Sequence, residues 1–281
     1  MANGEAYYHY IPSLAAALIF AVLFAITTFF HLYQLVRTRT WYFLPMVVGG
    51  TMEAIGYVAR IMGHSNQSSL PPYIVQALLL LIAPALFAAS IYMILGRLIT
   101  RINATSYSPI STRWLTKLFV CGDVMSFLLQ GAGGGMMGGG SASGARLGQR
   151  VILVGLFAQI LFFSLFVVVA VVVHVRVNRA GTAAIVEVPG WRRLLKALYV
   201  ASALILERSI FRVVEYVQGE SGYLMRTEVW LYLLDATLML LVMVLFNVVH
   251  PAKVVPGRGK AVAEEEEEAV GRGVELEGRG A

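Results

Sequence analysis

Seven apolar stretches, at about 13–36, 41–62, 73–96, 114–135, 151–173, 194–217 and 228–249, each have the roughly 20 residues a helix needs to cross the hydrocarbon core of a bilayer. Hydrocarbon offers no partner to a backbone N–H or C=O, so open sheets are excluded and spans of this length are helices. The composition agrees. The chain is 58% hydrophobic and only 14% charged, against about 25% charged in a soluble domain. The spans occupy most of the 281 residues, which leaves no room for a separate soluble domain. The fold class expected is therefore all-α, a polytopic membrane bundle of seven transmembrane helices over 13–251. Residues 1–12 precede it. Residues 252–281, rich in Gly, Glu and Arg with Glu264 to Glu268 in a row, cannot bury a core and are expected to form a disordered tail.

The basic residues fix an orientation. Most of the 22 fall on one side of the expected bundle: Arg37 and Arg39; Arg97, Arg101, Arg113 and Lys117; Arg176, Arg179, Arg192, Arg193 and Lys196; and those of the C-terminal segment from Lys253 onward. The positive-inside rule then makes the C-terminus cytoplasmic and the N-terminus extracellular or lumenal. The net charge of +6 is thus a topology signal, and no nucleic-acid signature accompanies it. The first apolar run is longer than a signal-peptide core and is read as a retained helix. The single cysteine, Cys121, excludes an intrachain disulfide and is read as a small packing residue.

Ionisable residues inside the apolar runs carry the functional signal. Glu53, Asp123, Glu207, Glu215, Asp235, Arg60, Arg208 and Arg212 all lie within expected spans. A charge at the bilayer centre costs roughly 2.5–3.5 kcal/mol even on the mildest scale, so these groups are expected to face inward. Helical spacing gathers them into stripes: Glu53, Tyr57 and Arg60 on span two; Asp123, Ser126 and Gln130 on span four; Arg208, Arg212 and Glu215 on span six; Glu228, Tyr232 and Asp235 on span seven. Gln159 adds a polar group on span five. Counting along each helix puts Glu53 and Asp123 near mid-membrane. Arg60, Gln130, Arg212, Glu215, Glu228 and Asp235 fall in the outer half. Two arrangements fit. One is a set of buried pairs that fix helix register, such as Glu53 with Arg208. The other is a polar chamber opening toward the outer leaflet. Acids outnumber arginines, which suits a cationic headgroup or proton movement.

Other features have simpler readings. Thr27, His31 and Gln34 share a face of span one, and His31 is expected to hydrogen-bond a neighbouring helix. Pro84 should kink span three and free a backbone carbonyl. Gly131–Gly140 lacks the Gly-Lys-Ser/Thr ending of a P-loop and is read as a flexible outer loop. His9, His31, His64, His174 and His250 are scattered, with no pairing that would hold a catalytic zinc. No cofactor and no enzymatic activity are expected. Of the sequons at Asn66 and Asn103, only the first lies outside in this topology.

Taken in order, the motifs resemble one family. Glu53-Ala-Ile-Gly-Tyr-Val-Ala-Arg60 is similar to the second-helix motif of the fungal lipid-translocating exporters, the RTA-like family named for resistance to 7-aminocholesterol. The resemblance continues through Ala83-Pro84, Ala88-Ala89-Ser-Ile-Tyr92, Asp123-Val-Met-Ser-Phe-Leu-Leu-Gln130 and Gly155-Leu-Phe-Ala-Gln159. It then takes in Arg208-Ser-Ile-Phe-Arg212-Val-Val-Glu215, Glu228, Tyr232 and Asp235, and His250-Pro251, covering about 7–251. It implies a seven-helix membrane protein that moves amphiphiles, in a family linked to sphingoid long-chain base release, resistance to toxic amphiphiles, and porphyrin or haem movement. The implied function is export of amphiphilic lipids, with proton coupling an open possibility. A seven-helix lipid sensor without transport is the alternative. The site residues expected are Glu53, Tyr57, Arg60, Asp123, Gln130, Gln159, Arg208, Arg212, Glu215, Glu228, Tyr232 and Asp235. The partner is a membrane lipid or amphiphile, and the membrane is expected to be the plasma membrane.

Overall fold

The computed structural model describes residues 12–65, 67, 69–137, 141–181, 186, 188–219 and 222–257. The regular elements among them are all helical. They are α1 (Leu14–Thr38), α2 (Leu44–Ser65), α3 (Leu70–Arg101), α4 (Thr112–Met137), α5 (Ala142–Ala180), α6 (Trp191–Gln218), the single turns α7 (Tyr223–Arg226) and α8 (Glu228–Leu231), and α9 (Thr237–Val248). A π-helical turn, Tyr232–Ala236, joins α8 to α9.

Five helical stretches are long and apolar enough to cross a membrane: Leu14–Thr38, Leu70–Arg101, Thr112–Met137, Ser143–Ala180 and Glu228–Lys253. The other two expected spans are α2 and α6, helices of 22 and 28 residues. They have the length. Glu53 and Arg60 in one, and Glu207, Arg208, Arg212 and Glu215 in the other, dilute their apolar content. The charges expected to form a site thus weaken the signal for a span.

Local chemistry sets the helix ends. Ser13 caps α1 by accepting the Ala16 N–H at 3.4 Å. The helix stops at Arg39, whose left-handed φ of 53° turns its N–H back onto the carbonyls of Leu35 and Val36. Pro71 and Pro72 open α3, where a missing N–H is tolerated. Each long helix packs on the next, and α9 closes against α1 and α6. Of the five apolar helices, α3 is the most enclosed. Its run from Phe87 to Leu95 is buried almost all round apart from Met93, as a helix surrounded by others requires. The α1–α9 seam uses the polar face expected on span one. His31 Nε2 lies 2.9 Å from the Met243 carbonyl, and Gln34 donates to the Asn247 carbonyl at 3.1 Å. Cys121, in contrast, is exposed on α4 and is no packing residue.

The glycine-rich stretch differs from its sequence reading. Residues 131–137 are not a loop: α4 continues through them to Met137, and 138–140 lie outside the described residues. The reason is packing. A Cβ on Gly133 would stand 2.6 Å from the Gly148 carbonyl oxygen and 2.7 Å from Ile152, so the bare backbone lets α4 and α5 touch. Close contact of this kind is how small residues join helices in lipid, and it offsets the cost of about 1 kcal/mol per glycine in a helix. Gly131 and Gly134 face open space. We therefore expect Gly133→Leu to destabilise the detergent-purified protein by about 3 kcal/mol, read as a lowered melting temperature. Gly131→Ala should be neutral or raise it.

At the C-terminal end, 252–257 belong to the packed body. Val254 and Val255 are buried, and Tyr42 Oη donates to the Val255 carbonyl at 2.7 Å. The rest of the expected tail, 258–281, lies outside the described residues.

Candidate functional site

The stripe on α2 meets two other helical segments. Glu53, Tyr57 and Arg60 are buried on one face of α2. Arg60 Nη2 pairs with Glu228 Oε1 at 2.7 Å, and its Nε donates to Tyr232 Oη at 3.0 Å. Glu228 also ties down the start of α1: the Ser13 N–H donates to both of its carboxylate oxygens at 2.9 Å. Beside this pair lies a cluster of rings. Tyr232 stacks on Phe20 at 5.2 Å between centroids, and Tyr57 stacks on Phe24 at 5.6 Å. His64 Nδ1 lies 2.7 Å from the Pro12 carbonyl at the same end.

Asp235 anchors the second half of the network. It sits in the π turn, where the helix widens and Thr237 Oγ1 donates to the Tyr232 carbonyl at 2.8 Å. Such turns recur where a helix carries a function. Arg208 Nε donates to Asp235 Oδ1. Arg212 Nη2 lies 3.3 Å from Asp235 Oδ2, and its Nη1 donates to Glu215 Oε2 at 2.8 Å. One carboxylate thus holds two guanidiniums.

The remaining reach of Arg208 explains Pro84. A proline inside a helix lacks the N–H that would bond the carbonyl four residues back. That carbonyl belongs to Leu80, and Arg208 Nη2 donates to it at 2.8 Å. The freed carbonyl read from the sequence is real, and a guanidinium from α6 satisfies it. Alanine at position 84 would return a helical N–H to Leu80 and compete with Arg208. Pro84→Ala is therefore expected to keep or raise thermal stability. It should lower activity about tenfold, because loss of one charge-assisted hydrogen bond at Arg208 is worth about 1.5 kcal/mol. Paired melting and activity measurements check the split.

Glu53 stands apart from these pairs. It is 2% exposed and feels the charges of Asp235, Arg208 and Arg212. Among the described residues it forms no ion pair, whereas Glu228, Asp235 and Glu215 each do. The expected Glu53–Arg208 pair is absent because Asp235 takes that guanidinium. Among the described residues, Glu53, Glu215, Glu228 and Asp235 stand against Arg60, Arg208 and Arg212, one carboxyl more than there are guanidiniums. Such a group can accept a cation or hold a proton.

Not every expected residue joins the network. Asp123 accepts from Tyr92 Oη at 2.8 Å in a nest of Phe119, Phe163 and Phe166. Gln130 Nε2 donates to Gln159 Oε1 at 3.1 Å across α4 and α5. These are separate polar contacts on the α3–α4–α5 side. Glu207 does not face inward: it is exposed on α6. Sequence reasoning missed Ser13 as a partner of Glu228, and Tyr92 as the partner of Asp123. Tyr92 was visible only as the end of a motif.

Comparison with known proteins identifies the family. The RTA1 like protein family model matches residues 46–258. Protoporphyrin uptake protein 1 of Saccharomyces cerevisiae is 39% identical over 88% of this chain and 92% of its own length. Protein RTA1 of the same yeast is 35% identical, over 89% and 86%. A yeast sphingoid long-chain base transporter, RSB1, is 25% identical over 90% and 75%. No solved structure matches. With the family model covering most of the chain and relatives aligned along nearly all of it, this multi-pass membrane protein belongs to the RTA1-like family.

Proposed function

We propose that the protein transports amphiphilic lipids of the sphingoid long-chain base type, taking the cationic headgroup at Glu53. The observation that carries this reading is the buried carboxyl of Glu53, which forms no ion pair among the described residues while its charged neighbours do. An incoming ammonium supplies the missing positive charge. The hydrocarbon stays in lipid or against the exposed apolar faces of the helices. Arg208 and Arg212 keep Asp235 and Glu215 engaged, so Glu53 remains the open acceptor. In this reading all seven long helical stretches cross the membrane, α2 and α6 turning their charges inward. The N-terminus lies outside and the C-terminus in the cytoplasm, at the plasma membrane. A proton leaving Glu53 as the ammonium arrives couples the cycle to pH.

The names of two relatives support the class of cargo: one for sphingoid long-chain base transport, the other for protoporphyrin uptake. Of these, the excess carboxyl favours the base. The test is leaflet exchange of labelled sphingoid base in vesicles reconstituted with the pure protein, at two pH values. Faster exchange than in empty vesicles, with a rate that changes with pH, is expected. Binding without exchange would mark a lipid sensor and refute transport.

A further inference from the structure

A second polar region lies at the other end of the bundle, near the basic termini of the helices. A cavity of about 580 Å³ opens between α3 and α4, lined by Arg97, Thr100, Arg101, Arg113 and Thr116 and walled on one side by Val255. The charged residues that line it are all arginines. Among the described residues no carboxylate pairs with Arg97 or Arg113. The cavity is also braced. The Arg97 guanidinium rests over the Tyr42 ring at 4.5 Å, and Tyr42 Oη holds the Val255 carbonyl at 2.7 Å. Thr100 Oγ1 directs its proton to the Gly96 carbonyl at 3.0 Å.

Its depth is marked by tryptophan. Trp114, next to Arg113, is 65% exposed, and Lys117 Nζ lies 5.5 Å from its ring. Trp41, beside Tyr42, is 62% exposed. Exposed tryptophans on a membrane helix settle at the level of the headgroups. Guanidiniums bind phosphate through paired N–H donors, and basic pockets between helix ends are suited to anionic headgroups. We propose that this cavity binds the phosphate-bearing headgroup of an anionic lipid in the leaflet at the basic end of the bundle. A soluble phosphate ester shares the chemistry. The tryptophan level and the exposed apolar surface at Leu118 favour the lipid. The proposal is independent of the transport reading, since it concerns other residues and another ligand.

The test uses the full chain in detergent and in phosphatidylcholine vesicles, with phosphatidylinositol 4-phosphate as probe. Native mass spectrometry and vesicle titration read the binding. The wild type is expected to retain this lipid and not phosphatidylcholine. Arg97→Gln with Arg113→Gln should weaken binding at least about tenfold, the equivalent of about 1.4 kcal/mol. Arg192→Gln with Arg193→Gln, the same charge change outside the cavity, should leave it unchanged. If the first pair loses its monodisperse elution profile, Arg113→Gln alone, at an exposed side chain, is read instead, with a loss of about fivefold expected. Equal loss in both pairs would overturn the proposal by showing diffuse attraction. Soluble inositol 1,4-bisphosphate binding as tightly as the lipid would overturn the lipid source. Absent binding by the wild type, restored when Glu264 to Glu268 are replaced by glutamine, would assign the cavity to the chain's own acidic run and overturn it too.

Discussion

Asp235→Leu is expected to abolish recovery of folded protein. Asp235 is the carboxylate shared by Arg208 and Arg212. Without it, among the described residues Arg208 keeps the Leu80 carbonyl and Arg212 keeps Glu215. Removing one member of a buried ion pair costs about 3–5 kcal/mol, because the partner's charge stays desolvated. That is a large part of the 5–15 kcal/mol that holds a typical domain together. The expected result is a collapse of the monodisperse peak on detergent extraction. Arg208→Leu combined with Asp235→Leu removes both charges at once and should recover much of the protein. A double-mutant cycle on melting free energies then gives the coupling directly. If Asp235→Leu proves as stable as the wild type, the two arginines are not held as described.

Glu53→Gln should do the opposite. Glu53 makes no ion pair among the described residues, so its neutralisation leaves no orphaned guanidinium. Glutamine has nearly the same shape, and the melting temperature should stay close to that of the wild type. In the proposed function the substrate's headgroup then loses its partner. A hydrogen bond to a charged group is worth about 1.5–3 kcal/mol, so export of long-chain base from loaded cells should fall between about tenfold and a hundredfold. Glu207→Gln changes charge equally on the exposed face of the neighbouring helix α6 and should not reduce export. Unchanged export by a correctly localised Glu53→Gln protein would remove Glu53 from the headgroup site. The pair of experiments separates the two jobs proposed within one network: Asp235 to hold it together, and Glu53 to stay open to the headgroup.

Much of this arrangement can be read along the chain, and the unreadable part has a physical reason. Glu53, Tyr57 and Arg60 share a face because 3.6 residues make a turn, a local property. The same count places Glu228, Tyr232 and Asp235 together. The choice of partners is not local. Arg60 pairs with Glu228 across 168 positions, and Glu228 reaches Ser13 across 215. Only the order of helices around the bundle decides these pairs. Position along a helix is legible from the sequence, whereas direction around the bundle is not. Asp123 shares a buried face of α4 with Ser126 and Gln130, as their spacing implies, yet its carboxylate meets Tyr92 and the surrounding phenylalanines and pairs with no arginine among the described residues.

Pro84 and the glycines show the two sides of local reading. A proline within a helix leaves a carbonyl free whatever surrounds it, so that consequence could be drawn from sequence; its recipient, Arg208, could not. Glycine has two uses, loose loops and tight helix contacts, and composition does not separate them. The stretch after Gln130 reads as loop until Gly133 is seen against the Gly148 carbonyl. Charges on α2 and α6 have a similar double effect. They form the candidate site while lowering the hydropathy by which a span is recognised.

The central claim is that an amphiphile's headgroup enters the network at Glu53. Photolabelling tests it most directly. A sphingoid base carrying a photoreactive group next to its amine is bound to the protein in lipid nanodiscs, cross-linked and mapped by peptide mass spectrometry. The account predicts label on peptides from Leu44–Ser65 and Trp191–Gln218 and on the segment holding Asp235. Excess unlabelled base should displace it, and Glu53→Gln should lose it. Label spread over the outward faces of α1 and α5, indifferent both to competitor and to Glu53→Gln, would contradict it.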